Sequence, residues 1–150
     1  LRGRFSLPFE TLYISYNLNT PLGSQLSRQL KAGSDVRLMN SPSEAQAILY
    51  VLGERRSRNV VAYNAYGDAR EYELKLEVSF RLSAPDGAQY LPDTVIAAVR
   101  EISYNEEDYL TRDAEEALVI NEMLSDIVVQ MVRRIEKAQP PKQPEDLTTR

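Results

Sequence analysis

The side chains best equipped for chemistry in this chain are its arginines and tyrosines. Arg55, Arg56 and Arg58 crowd into Glu54-Arg55-Arg56-Ser57-Arg58, the densest cationic run in the sequence. A guanidinium is planar, always charged and able to hold a phosphate or carboxylate by two parallel hydrogen bonds, so such a run suits anion recognition. A solvated, irregular stretch of strand explains it equally. Arg112 precedes Asp113 and lies about one turn before Glu115 and Glu116, so an intrahelical ion pair competes with any ligand for it. Tyr63, Tyr66 and Tyr72 gather around Asn64-Ala65-Tyr66-Gly67-Asp68. Tyrosine buries a large area at small entropic cost while keeping a polar end, which suits insertion into a concave partner; ordinary cross-strand packing is the alternative. The carboxylates Glu106, Glu107 and Asp108 invite an acid-base or metal reading, but adjacent helical residues point to different faces. An acidic first turn that complements the helix dipole accounts for them better.

The absent residue types narrow the field further. With no cysteine and no histidine, the chain has no thiol nucleophile, no Ser-His-Asp arrangement and none of the usual zinc ligand sets. It also lacks a glycine-rich phosphate loop. The expectation is therefore a protein that is not an enzyme and carries no cofactor or metal. A net charge of -4 argues against a nucleic-acid partner, which needs a surplus of Lys and Arg on one face. No run approaches the roughly 18 apolar residues of a membrane span. Lack of cysteine leaves the redox compartment open. The first residue is Leu1 rather than Met, so an upstream segment, such as a signal sequence, is expected.

The elements that must position these residues are organised around Arg70–Leu82. There Tyr72, Leu74, Leu76, Val78, Phe80 and Leu82 alternate with Glu73, Lys75, Glu77, Ser79 and Arg81, the period of a strand with one buried face. A slip of one residue would drive the polar set into the core, so this strand fixes the register of its neighbours. Before it, Thr11–Tyr16 reads as a first strand. Thr20 caps a helix with Pro21 in its first turn, Leu22, Leu26 and Leu30 on one face and Gly33 as its stop. Asp35–Met39 resumes as a strand that can lie parallel to the first. After the connector Ser41–Ala45, Ala47–Leu52 is apolar on both faces, as in a central strand. Gly53 is expected to end that regularity, with a bulge or bend over Glu54–Arg58 and pairing resumed at Val60–Tyr63. Asn64–Ala69 turns the chain. Ala84-Pro85-Asp86-Gly87 closes a second hairpin, and its return strand, about 88–103, contains Pro92, which points to an edge or a bulge.

A long helix is expected from Asn105, with Leu110, Ala114, Ala117, Asn121, Leu124, Val128, Met131 and Ile135 on its apolar stripe, widened by Leu118, Ile120 and Ile127. Core packing on the sheet explains the stripe, with a partner coiled coil as the alternative. The proline-rich, polar stretch 138–150 reads as a disordered tail. Together these define a single domain over 1–137, an α+β two-layer sandwich with two helices on one face of a mixed, largely antiparallel sheet of four or five strands.

In the order of its elements and several local strings, the chain resembles the LPS-assembly lipoprotein family LptE, formerly RlpB. The strings are Leu1-Arg2-Gly3; Pro21-Leu22 with Leu26 to Leu30; Leu52-Gly53; Gly67 with Glu71-Tyr72; and Leu110-Thr111-Arg112-Asp113-Ala114-Glu115 leading to Asn121-Glu122-Met123. The resemblance implies a lipoprotein on the periplasmic side of the outer membrane, anchored by acyl chains on a cysteine just upstream of Leu1. It implies a plug inside the LptD β-barrel that binds lipopolysaccharide and is not an enzyme. A basic residue near the start of the last helix matches Arg112; the family's basic residue at the hairpin tip falls on Ala65, with Arg70 the nearest cation. Candidate lipopolysaccharide contacts are thus Arg112, Arg70, Arg55, Arg56 and Arg58, and candidate insertion residues Tyr63, Asn64, Tyr66 and Gly67. A different periplasm-facing lipoprotein, acting as a protein-binding scaffold without glycolipid affinity, is the alternative.

Overall fold

The computed structural model describes residues 5–104 and 109–141. Its elements are β1 (Thr11–Ser15), α1 (Pro21–Gly33), β2 (Arg37–Leu38), a 3-10 turn (Pro42–Glu44), β3 (Ala47–Tyr63), β4 (Ala69–Ser83), β5 (Gln89–Ser103) and α2 (Tyr109–Glu136). The five strands form one sheet in the order β2-β1-β3-β4-β5. β1 runs parallel to β2 and β3, while β3, β4 and β5 form an antiparallel meander. With both helices on one face, this is the expected α+β sandwich.

The alternation in β4 holds as read. Leu74, Leu76, Val78, Phe80 and Leu82 are all buried, against Leu22, Leu26 and Leu30 of α1 and Met123, Leu124, Ile127, Val128, Met131 and Ile135 of α2. The Thr20 hydroxyl caps α1 by accepting from the Gly23 amide at 3.1 Å. Pro92 lies in the edge strand, where the β4–β5 register slips between Phe80–Thr94 and Leu82–Leu91, so both expectations for it are met.

Three local expectations are corrected. Regularity does break at Gly53, where Leu52 is an extra residue, but Glu54–Arg58 does not bulge: β3 stays paired to β4 in unbroken register from Gly53–Ser79 to Val60–Tyr72, with Val61 inserted at the far side. Alternation fades in that run because both faces of this half of β3 are wet. On the face away from the helices Arg55 opposes Glu77, Ser57 opposes Lys75 and Asn59 opposes Glu73, a polar set that pairs without a bend. Gly33 stops α1 by packing rather than by a positive φ, which among the described residues belongs to Gly67 and Gly87 alone. A Cβ on Gly33 would lie 2.1 Å from Cε1 of Phe5, and the Ser34 hydroxyl donates to the Leu30 carbonyl at 2.6 Å in the helix's last turn.

The third correction concerns α2. Its second half buries the expected residues, but Leu110 is 80% exposed, Leu118 65%, and Ala114, Ala117 and Asn121 also face solvent, while Val119, Ile120 and Met123 turn inward. A strict heptad drifts about 20° per repeat around a straight helix, so a stripe anchored at Leu124 and Met131 has rotated off the core by Leu110. Coverage runs out as well. At 1.5 Å per residue α1 is less than half the length of α2, and it meets α2 at Ser125, whose hydroxyl donates to Gln25. Ala138 is buried against the core. The strings at 1–3, the helix start at Asn105 with its acidic turn Glu106, Glu107 and Asp108, and tail residues 142–150 lie outside the described residues.

Candidate functional site

The β3–β4 hairpin ends in a turn built by Asn64 and Gly67. The Asn64 amide donates to the Asp68 carbonyl at 2.8 Å, and its side-chain Oδ1 accepts from the Tyr66 and Asp68 amides at 2.9 Å each. Gly67 takes the left-handed position at φ +84°, where a side chain would be strained. Asn64 and Gly67 therefore shape the tip, and its outward chemistry belongs to Tyr63, 66% exposed, and Tyr66, 90% exposed.

The basic run divides by parity. Arg55, opposite Glu77, lies on the face away from the helices; Arg56 and Arg58, opposite Leu76 and Leu74, lie on the helix side. Arg58 sets its guanidinium 4.9 Å over the Tyr72 ring and pairs with Glu116 of α2 at 3.3 Å. Tyr72 leans on Tyr104, which follows β5, with ring centres 5.5 Å apart and planes tilted by 60°. Arg112 of α2 places its guanidinium 5.3 Å over the Tyr104 ring. Arg70 donates a side-chain bond to the Tyr104 carbonyl at 3.4 Å, while the Tyr104 amide donates to the Arg70 carbonyl at 2.8 Å. Thus Arg58 of β3 and Arg112 of α2 stack on two adjacent rings, and Arg70 of β4 reaches the backbone of one of them. Arg55 is on the opposite face, and Arg56 shares the helix side without a ring contact among the described residues.

A guanidinium held over an aromatic face by cation-π attraction can still use its N–H edge on an oxyanion, so stacking and anion binding are compatible. The two rings supply an apolar floor beside the charges. Tyr104 is 3% exposed, and its hydroxyl has no hydrogen-bond partner. Burial pushes this phenol's pKa above its usual value; Glu116, Glu115 and Tyr72 add to the rise and Arg58 opposes it. Tyr104 escaped the sequence reading, and Glu116, expected there only as an intrahelical partner for Arg112, pairs with Arg58 of β3. The signal for Tyr104 was available, since it extends the inward set Ile96, Ala98 and Ile102 of β5 by one step.

Elsewhere, Tyr16 donates to the Glu54 carboxylate and ties the end of β1 to β3; burial first, and Glu54 second, push its pKa up to about 12. No cluster of His, Cys, Asp or Glu among the described residues could hold a metal ion. No helix among them is long and apolar enough to cross a membrane.

The family model described as LptE, Lipopolysaccharide-assembly, matches residues 9–135. Among solved structures the chain is similar to uncharacterized lipoprotein B from Nitrosomonas europaea, with 28% identity, a TM-score of 0.74, and coverage of 89% of this chain and 86% of that one. The rare lipoprotein B from Shewanella oneidensis is 18% identical with a TM-score of 0.72, covering 82% of this chain and 91% of that one. A minor lipoprotein from Acinetobacter baumannii is 22% identical with a TM-score of 0.72, covering 92% and 99%. The latter two likenesses speak for the fold alone. No curated protein matches the sequence.

Proposed function

The chain belongs to the LptE lipopolysaccharide-assembly family, and from that premise we propose that it is a non-enzymatic lipoprotein on the periplasmic side of the outer membrane. In this reading it plugs the LptD β-barrel and binds lipopolysaccharide on its way to the outer leaflet. The observation that carries the ligand half is the convergence of Arg58, Arg70 and Arg112 on Tyr72 and Tyr104. Lipid A presents phosphates on an apolar body, and stacked arginines beside buried rings match both parts of it.

The plug half rests on the hairpin. At roughly 3.3 Å per residue, the 17 residues of β3 span on the order of 55 Å, and their far end carries the exposed Tyr63 and Tyr66 with a single exposed charge, Asp68, in the turn. Such a finger fits a concave, polar lumen, with Tyr63 and Tyr66 making the contact.

The test is a titration of the chain with lipopolysaccharide, followed by backbone amide shifts, against a neutral detergent control and repeated with Arg112→Glu. Saturable shifts at Arg58, Arg70, Tyr104 and Arg112, weakened by the charge reversal, are expected. Shifts no larger than those from detergent would overturn glycolipid binding and leave a protein-binding scaffold.

A further inference from the structure

The geometry points to Tyr104 as the residue that reads the ligand's phosphate, from beneath an Arg58–Glu116 ion pair that the phosphate displaces. This rests on the glycolipid-binding reading above and assigns the donor and the exchange that would make that site selective for phosphate. A buried hydroxyl without a partner is uncommon in a native fold, because its desolvation goes uncompensated. Tyr104 is such a group, 97% buried by the complement of its 3% exposure, in a cluster that otherwise satisfies itself through Arg70, Tyr72 and Arg112.

The Arg58–Glu116 pair is close enough to act electrostatically on that phenol, and it is replaceable. Arg58 and Glu116 meet at 3.3 Å with side chains 52% and 18% exposed, so water screens the pair and it opens easily. When the carboxylate leaves, Arg58 keeps its place over the Tyr72 ring. A phosphate monoester brings up to two negative charges and three acceptor oxygens. One oxygen takes the Glu116 position on Arg58, a second lies toward Arg112, and a third accepts the Tyr104 proton. A carboxylate ligand has two oxygens and one charge; it would exchange with Glu116 for little gain. The phenol is thus the element that favours phosphate over a carboxylate, and it stays covered until a phosphate arrives. A lipid headgroup phosphate and free inorganic phosphate share this chemistry.

The experiment measures binding of bisphosphorylated lipid A and of its dephosphorylated counterpart, in the same detergent micelles, to the full chain and to Tyr104→Phe and Glu116→Gln. Tyr104→Phe removes only the unpaired hydroxyl and keeps the ring. It is expected to melt at the wild-type temperature or higher, to bind phosphorylated lipid A about tenfold more weakly, and to bind the dephosphorylated lipid unchanged. Glu116→Gln, which weakens the competing pair, is expected to bind phosphorylated lipid A a few-fold more tightly. Wild-type affinity in Tyr104→Phe, alongside a wild-type protein that prefers the phosphorylated lipid, would overturn the inference and leave the binding reading intact. A wild-type chain that binds both lipids equally would also overturn the inference, and one that binds neither above the empty-micelle control would overturn the binding reading itself. Inorganic phosphate alone, tested in a third arm, is expected to compete with phosphorylated lipid A in a Tyr104-dependent way; a Tyr104-dependent response to it with no response to lipid would keep the phenol's role and transfer the site to free phosphate.

Discussion

The placement of α2 can be tested by paired truncations on its two halves. Ile127 is fully buried between helix and sheet, whereas Leu118, nine positions earlier, is 65% exposed. Fully burying a leucine or isoleucine side chain stabilises a fold by about 1.5–3 kcal/mol from area alone, and truncating it to alanine costs about 2–5 kcal/mol once the cavity is included. Ile127→Ala should therefore cost about 3 kcal/mol. Leu118 retains roughly a third of that burial and leaves no enclosed cavity, so Leu118→Ala should cost about 0.5–1 kcal/mol, and a change to glutamate little more. Urea unfolding followed by far-ultraviolet circular dichroism reads both as shifts in midpoint at constant slope. Two equal losses would refute the argument, since they would put Leu118 on the packed stripe where heptad spacing places it. A loss at Leu118 that appears only in complex with a barrel partner would instead assign that exposed face to the partner.

Two further outcomes follow from single contacts. Gly33→Ala should destabilise the chain by about 1–3 kcal/mol, because the new methyl falls on the Phe5 ring; Phe5→Leu in the same background should recover part of that loss in thermal melts. Tyrosine titration sets a pH window: the Tyr16 pKa is raised from 10.0 to about 12, so the fold holds the proton that the unfolded chain loses first. Stability from this group is fully present below pH 10 and falls as pH rises through about 12, and phenolate absorbance should show Tyr16 among the last to ionise. Glu54→Gln should lower that midpoint without returning it to 10, since burial is the larger cause. A midpoint unmoved by the change would remove Glu54 from the account.

The sheet was legible because β4 encodes one buried face without interruption. Once Tyr72 to Leu82 alternate, partners on both sides must match their parity, and the observed registers do so from Tyr72 to Ser79 toward β3 and from Glu71 to Phe80 toward β5. The run after Gly53 and the stop at Gly33 were misread for a shared reason. Glycine signals both backbone freedom and the need for space, and sequence does not separate them. At Gly33 space decides, because Phe5 occupies the Cβ position; at Gly53 a Cβ would meet nothing within 4 Å, and the strand runs on. The first half of α2 was misplaced because spacing shows which residues share a helix face, while the length of α1 decides how much of that face is covered.

The site depends on distance in the chain. Arg58, Arg70 and Arg112 become neighbours only because β3, β4 and α2 all arrive beside the end of β5, where Tyr104 stands. Density of positive charge therefore pointed to the wrong grouping: of the crowded Arg55, Arg56 and Arg58, strand parity sends Arg55 to the far face. What distinguishes Arg58 and Arg112 is the ring each one meets, while Arg70 is tied to the Tyr104 carbonyl. Tyr72 and Tyr104 share the inner face beside the uncovered half of β3, where Arg58 is half exposed, so the apolar floor borders an accessible charge. Elsewhere among the described residues Arg100 pairs with Asp126, and Arg81, which also stacks on a ring, that of Tyr50, lies beside Asp93. What sets the Tyr72–Tyr104 patch apart from the Arg81–Tyr50 stack is that cations from two different elements, Arg58 of β3 and Arg112 of α2, flank its unpaired buried donor.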